Sequence, residues 1–140
     1  EVRVSIWSNA ISYIQEKPLF GWGSSSFPFL FRIENDNWYG HTHNLFLELA
    51  ISYGLIVSLL VFSFLLNIIY RSYFMVFKND ENYSLIDKGY WAGSFIFFIA
   101  QLYDVLYFDF RLNIASWIFL ASLRSIIDKH NKPKNLTKFN

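Results

Sequence analysis

The sequence predicts an all-α membrane protein in which about three transmembrane helices follow a partly helical, outward-facing loop. Three observations predict this class. The 140-residue chain is 54% hydrophobic and only 16% charged, whereas a typical soluble domain is about 25% charged. Its aromatic share of 21% is typical of membrane proteins with interfacial aromatic belts. Its apolar residues are also concentrated in three runs rather than spread along the chain.

The first apolar run predicts the first transmembrane helix, over residues 45–70. Leu49 to Tyr70 contains 22 residues without a charge. As a helix that rises about 1.5 Å per residue, this run spans roughly 33 Å, which is enough to cross the hydrocarbon core. The alternative is a buried helix of a soluble protein, but uncharged apolar runs of this length are rarely anything but spans.

Two later runs predict the remaining spans, over 89–108 and 112–127. The second run is interrupted only by Asp104, and the third has Arg124 near its end. A long basic side chain at that position can extend to the lipid headgroups. The short link at 109–111 would join the two runs as a hairpin.

The distribution of Lys and Arg orients these spans. Eight basic residues fall on the side of the 71–88 loop and the 128–140 tail, and four fall on the other side. By the positive-inside rule we expect the basic tail 128–140 in the cytoplasm and residues 1–44 outside.

The outward segment 1–44 is expected to contain an amphipathic helix. Val4, Trp7, Ile11 and Ile14 recur at steps of three and four, which places them on one helix face. Such a helix lies either at the outer membrane surface or against other elements of the outer loop. The sequence leaves both alternatives open.

The composition excludes several classes of function. A net charge of +1 gives no global basic field for nucleic acid. The absence of cysteine excludes disulfides, thiolate zinc sites and cysteine catalysis. The sequence contains no Gly-rich phosphate loop and no Ser/His/Asp arrangement. We therefore expect no cofactor and no metal.

His41-Thr42-His43-Asn44, directly before the first predicted span, is the best candidate for chemistry. An imidazole, with a pKa of about 6.5, can accept a proton at neutral pH. The alternatives are a structural hydrogen bond or a metal ligand, although the segment has no neighbouring carboxylate cluster. Glu48, one helical turn past Asn44, could pair with a basic residue, bond to His43 or face the headgroups.

Four further charged residues are candidates for a function or an ion pair. Arg3 and Arg32 lie on the outward side, where a guanidinium can hold a phosphate in a bidentate manner, although Arg32 is better explained as an ordinary exposed residue. Asp104 is an ionisable group inside a predicted span, which marks either a functional site or an ion pair. Because Arg111 lies seven residues on, we favour a structural Asp104–Arg111 salt link.

Two motifs in this order resemble the O-antigen ligase/polymerase family of bacterial multi-pass glycosyltransferases. The first is PLFGWG at 18–23, preceded by Arg3, Ile6 and Trp7. The second is GHTHNLFLE at 40–48, followed by Gly54-Leu55. The resemblance covers residues 3–70 most clearly, and Asp104, Asn113 and Trp117 resemble the family's closing helix pair more weakly.

This resemblance implies an enzyme of the bacterial inner (cytoplasmic) membrane that needs neither metal nor cofactor. Its donor would be an undecaprenyl-diphosphate-linked oligosaccharide, and its acceptor a glycan or the lipid A core, at the periplasmic face. Ligation and polymerisation stay equally open. The resemblance implies His43 as the catalytic base and Arg3 as a diphosphate-binding residue. From their positions, Asn44, Glu48 and Asp104 are candidates for supporting roles. His41 and Arg32 match no family motif.

Two further expectations complete the sequence-based view. Met75 is the only methionine and the chain begins at Glu1, so we expect a C-terminal fragment that is inactive alone, because the family uses another arginine in an earlier loop. The alternative function is a non-catalytic transporter or flippase segment, in which Asp104 would be the functional charge.

Overall fold

The structure, a computed structural model, describes residues 2–78 and 83–131. Within these ranges the chain is helical and contains no β-strand, which confirms the all-α prediction. A short 3₁₀ turn at Leu106–Phe108 precedes the last helix. Residues 132–140, most of the predicted cytoplasmic tail, lie outside the described residues. The helices are α1 (Val2–Glu16), α2 (Phe27–Asn35), α3 (Leu45–Tyr53), α4 (Leu55–Tyr73, extended by a π-helical segment Phe74–Lys78), α5 (Leu85–Ala100) and α6 (Phe110–Asn131).

Two helical segments in the described ranges are long and apolar enough to cross a membrane, Leu55–Lys78 and Phe110–Lys129. The sequence predicted about three. The predicted helix over 89–108 is wrong from residue 101 onward, because α5 ends at Ala100 in a turn over 101–104. The 16 residues of α5 extend about 24 Å, less than the roughly 30 Å of a hydrocarbon core.

The predicted continuous helix over 45–70 is divided at Gly54. α3 ends at Tyr53 and α4 begins at Leu55, because Gly54 has φ 88° and ψ 167°. This backbone conformation is essentially restricted to glycine. α3 therefore precedes the membrane-spanning segment instead of forming its first turns.

The break at Gly54 receives the loop that carries the PLFGWG motif. Trp22 N–H donates to the Ile51 carbonyl at 2.7 Å, and Gly23 N–H donates to the Ser52 carbonyl at 3.0 Å. From the other side, Leu55 N–H donates to the Pro18 carbonyl at 2.8 Å. A Cβ on Gly21 would overlap the backbone of 51–54, and a Cβ on Gly54 would overlap that of Leu19. We call this arrangement of two glycines and three hydrogen bonds the glycine contact.

The buried face of α1 differs from the predicted one. Val4 and Ile11 are 70% and 49% exposed, so the predicted stripe is wrong by about one position around the helix. The buried stripe packs α1 against α2 and α3, which is the second of the two alternatives for this helix. It is formed by Ile6, Ala10, Tyr13 and Ile14.

α1 and α3 run in the same direction. Near their starts, the Trp7 indole donates to the Thr42 carbonyl at 3.0 Å. Beyond their ends, Pro18 accepts from Leu55. The N-terminal end of α1, with Arg3, therefore lies at the same end of the bundle as the 41–44 segment.

Candidate active site

The 41–44 segment is held by contacts from α1 and α3 and by one hydrogen bond within the segment. The Thr42 carbonyl accepts from Trp7, and the Thr42 N–H donates to Glu48 Oε2 at 2.9 Å. The Thr42 hydroxyl donates to the Asn44 carbonyl at 2.8 Å. With its main chain fixed in this way, His43 takes a left-handed conformation with φ 53°.

Asn44 ties this segment to the turn after α5. Its Oδ1 accepts from the Leu47 N–H at 3.1 Å and so caps α3, the role in which asparagine is favoured. Its Nδ2 donates to the Leu102 carbonyl at 3.0 Å. Beside it, Leu45 N–H donates to the Gln101 carbonyl at 2.8 Å. These bonds join two segments that are nearly 60 residues apart in the chain.

The hydrogen bonds from Asn44 and Leu45 place Asp104 beside both histidines. His43 Nδ1 lies 3.2 Å from Asp104 Oδ1, and His41 Nδ1 lies 3.8 Å from the same oxygen. The two imidazole rings are 4.2 Å apart between centroids, and Phe108 stacks on His41. The side chain of His41 is 25% exposed, that of His43 is 30% exposed and that of Asp104 is 50% exposed, so solvent reaches all three.

The predicted Asp104–Arg111 salt link is wrong. Arg111 instead lies 3.5 Å from Asp109, and its side chain is 87% exposed. The physical reason is that the chain leaves the helix at Ala100, so Asp104 lies in the turn that follows α5 and contacts the histidine segment instead. Asp104 therefore lies in a turn and not inside a helix, and it joins the site that the sequence centred on His43.

The surroundings favour ionised Asp104 and neutral His41. Partial burial by itself would raise the pKa of Asp104. Hydrogen bonds from the Val105 N–H and from His43, with the charges of both histidines, outweigh it and lower that pKa below its ordinary value. The pKa of His41 is lowered, first by burial and then by His43, and the carboxylate of Asp104 only partly offsets this.

This geometry suits a general base. If His43 Nδ1 carries a proton toward Asp104, its Nε2 is left with a free lone pair that can accept one. The carboxylate then holds the ring orientation and stabilises the imidazolium that forms, as in other His–Asp pairs.

Glu48 meets none of the three expectations for it. Its side chain is fully buried, faces no headgroup and accepts from the Thr42 N–H rather than from a basic residue or His43. Its second oxygen, Oε1, has no hydrogen-bond partner among the described residues. Burial raises the pKa of Glu48, and the Thr42 hydrogen bond opposes this only in part. Glu48 thus positions the histidine segment from beneath.

The two arginines of the outward segment differ in their relation to the site. Arg3 is exposed, lies one helical turn before Trp7 and so shares its helix face. Trp7 contacts Thr42 directly, which places Arg3 at the histidine end of α1. Arg32 is exposed on α2, in agreement with its interpretation as an ordinary surface residue.

A cavity of about 320 Å³ opens beside the site, between α3, α4, α5 and α6. Its wall begins at Leu45, two residues after His43, and includes Gln101, three residues before Asp104. Asn113 and Trp117, which the weaker part of the resemblance singled out, both line it. Most of the other lining residues are apolar: Leu49, Tyr53, Val61, Leu65, Phe97, Phe98, Phe119 and Leu120.

The sequence missed His41 as a neighbour of Asp104 and Trp7 as a contact of the histidine segment. A signal existed for Trp7, because it precedes the PLFGWG motif together with Arg3 as part of the family resemblance. For His41 there was none, since its partner lies 63 residues away and is reached only because α5 stops at Ala100.

The helices and the site together define an all-α membrane protein with a polar site at the end of its bundle. Residues 1–62 match the family model described as O-antigen ligase. The match confirms the family resemblance that the sequence predicted, over the segment that contains Arg3, His43, Asn44 and the glycine contact. No curated protein and no solved structure gave a match to the chain.

Proposed function

We propose that this chain provides the acceptor-activating part of a membrane glycosyltransferase that transfers or polymerises undecaprenyl-diphosphate-linked O-antigen-type glycan. The family match supports ligase- or polymerase-type glycosyl transfer in general. The observation that carries the proposal is the 3.2 Å contact between His43 Nδ1 and Asp104 Oδ1. It gives a partly exposed imidazole a fixed orientation and a stabilising carboxylate.

In the proposed reaction His43 Nε2 takes the proton from the acceptor hydroxyl. The hydroxyl oxygen forms a bond to the anomeric carbon of the donor sugar, and the bond from that carbon to the diphosphate oxygen breaks. The polyprenyl diphosphate leaves with the electron pair, and Arg3 holds its charge. A positioned base contributes about 10²–10⁴-fold, and a fixed cation at the leaving group supplies an electrostatic term of comparable importance. This scheme needs no metal and no cofactor.

The cavity beside the site suits the lipid chain of the donor. Its lining is mainly apolar, and it begins next to both Asn44 and Gln101, whose backbones frame the His43–Asp104 pair. A prenyl chain in the cavity would therefore place its diphosphate at the histidine end of the bundle. We propose that this end faces the periplasm of the bacterial inner membrane, where donor and acceptor glycans meet.

The test replaces His43 by Ala and, separately, Asp104 by Asn in the full-length protein, with Gly40→Ala as a control that meets no neighbouring atom. Surface glycan would be resolved by gel electrophoresis, with the tagged protein quantified in membranes. We expect both variants to accumulate normally, His43→Ala to lose glycan transfer, and Asp104→Asn to reduce it. Normal glycan in the His43→Ala strain would refute the base assignment.

The transporter alternative loses the observation that motivated it, because Asp104 lies in a turn beside the histidines and not inside a spanning helix. It would regain support if Asp104→Asn abolished surface glycan while His43→Ala left it unchanged.

A further inference from the structure

His41, His43 and Asp104 form a cluster with a second chemical capacity. Each offers one metal-ligating atom, and the three atoms lie within 4.8 Å of one another. Asp104 Oδ1 is 3.2 Å from one imidazole nitrogen and 3.8 Å from the other. The segments that supply them are joined by the Asn44 and Leu45 hydrogen bonds, so the approach is built into the fold.

These separations can be compared with those around a zinc ion. Zn–N and Zn–O bonds of about 2.0–2.2 Å in a tetrahedral arrangement place neighbouring ligand atoms roughly 3.3–3.6 Å apart. The two N···O distances lie on either side of that interval. All three ligand atoms lie within 4.8 Å of one another, so the two imidazole nitrogens need to approach by at most about 1.2–1.5 Å. Side-chain rotation in a partly exposed site can supply this.

The donor set also suits zinc. Two imidazoles and one carboxylate are ligands that Zn²⁺ takes in catalytic sites, where solvent completes the coordination. The backbone N–H of His43 donates to His41 Nδ1 at 3.2 Å. This hydrogen bond must break when the ion binds, which lowers the affinity for zinc.

We propose that His41, His43 and Asp104 bind one Zn²⁺ ion through His41 Nδ1, His43 Nδ1 and Asp104 Oδ1, and that this binding inhibits glycosyl transfer. The inhibition rests on the proposed function of His43; the site itself does not. When Nδ1 coordinates the ion, the neutral ring carries its proton on Nε2. Nε2 then has no lone pair with which to take the proton of the acceptor hydroxyl.

Binding would be measured by calorimetric titration of ZnCl₂ into the full-length protein in detergent, with MgCl₂ as the comparison ion. The sharpest variant is His41→Asn, because an amide oxygen can still accept the His43 N–H but is a poor zinc ligand. We expect one Zn²⁺ site that is weakened at least 10-fold in His41→Asn and in Asp104→Asn, and little Mg²⁺ binding. Unchanged zinc affinity in both variants would overturn the site.

The second measurement is transfer at increasing Zn²⁺, each protein compared with its own zinc-free rate. We expect wild-type transfer to fall in parallel with site occupancy and to recover with a chelator, and His41→Asn to require at least 10-fold more zinc. Binding that depends on His41 together with undiminished transfer at saturating zinc would keep the site and refute the base role of His43. An equal zinc sensitivity of both proteins would overturn the inhibition.

Discussion

The glycine contact makes a quantitative prediction for Gly54→Ala. Gly54 has φ 88° and ψ 167°, and an added Cβ would overlap the Leu19 carbonyl group. The nearby atoms are backbone, which cannot rotate away as the end of a side chain can. The variant must therefore strain its own backbone and also push the 18–23 loop off the end of α3.

The expected cost has two parts. A non-glycine residue in this region of φ and ψ costs about 1–3 kcal/mol. Separating the loop weakens the Leu55–Pro18 and Trp22–Ile51 hydrogen bonds, each worth about 0.5–1.5 kcal/mol. The sum, about 2–6 kcal/mol, is a large share of the roughly 5–15 kcal/mol that stabilises a typical domain. Gly21→Ala acts on the other side of the same contact, so the double variant should cost less than the sum of the two.

The assay is thermal denaturation of the detergent-solubilised full-length protein, followed by the fraction that remains monodisperse on size exclusion. Two glycines provide controls because an added Cβ meets nothing within 4 Å of either. We expect Gly40→Ala to change stability by less than about 0.5 kcal/mol. Gly89→Ala, inside α5, should stabilise the protein by about 0.5–1 kcal/mol.

The Gly54→Ala midpoint should fall at least about 5 °C below that of wild type. If it equals the Gly40→Ala midpoint, the close backbone approach does not exist and the division between α3 and α4 is not held by glycine. If Gly21→Ala and Gly54→Ala are strictly additive, the two residues do not belong to one contact.

Three further predictions concern the site. Because the fold lowers the pKa of Asp104, the ionised carboxylate stabilises the protein at pH values above the ordinary pKa of 3.8, and this stabilisation is lost as the pH falls through the lowered pKa. Melting temperatures measured between pH 6 and pH 3 should therefore fall in wild type and fall less in Asp104→Asn. Glu48→Gln keeps an acceptor for the Thr42 N–H without a buried charge, so at pH 8 this variant should melt at or above the wild-type temperature. Glu48→Leu leaves the Thr42 N–H unpaired and should lower the free energy of unfolding by about 1–3 kcal/mol. A Gln variant less stable than the Leu variant would contradict this. Arg3→Lys keeps the positive charge but loses the planar guanidinium that can bind a phosphate through two N–H groups. We therefore expect KM for the lipid-linked donor to rise in Arg3→Lys and to rise further in Arg3→Ala. An unchanged KM in both variants would exclude Arg3 from the diphosphate site.

Some of this site could be predicted from the sequence because the signals are local. His43 and Asn44 precede an apolar run, and Asn44 caps the helix that begins there, as the residue type favours. The PLFGWG motif and Gly54-Leu55 could be recognised as parts of one family pattern. Their physical connection through the Gly21 and Gly54 backbones could not, since it depends on a close approach of segments about 30 residues apart.

The role of Asp104 could not be predicted because an apolar run does not show where its helix stops. Hydropathy treats residues 89–108 as one segment, whereas the chain leaves the helix after Ala100 and turns back toward the histidines. That turn places Asp104 beside the histidines instead of inside a helix. Gly54 has a similar effect at the far end of α3, where one predicted helix becomes two.

The left-handed backbone of His43 has a consequence for how the site responds to disturbance. A φ of 53° lies in the left-handed region, where histidine is more frequent than most residues other than glycine. It still costs on the order of 1 kcal/mol. Contacts with Trp7 and Glu48, and the bond from Asn44 to the turn after α5, hold this backbone conformation. The local stability of the segment therefore depends on the helices around it. We therefore expect this segment to open at a lower free-energy cost than α1 or α3 unfolds. The imidazole would then lose its orientation, and the site its activity, under conditions that leave the helices folded.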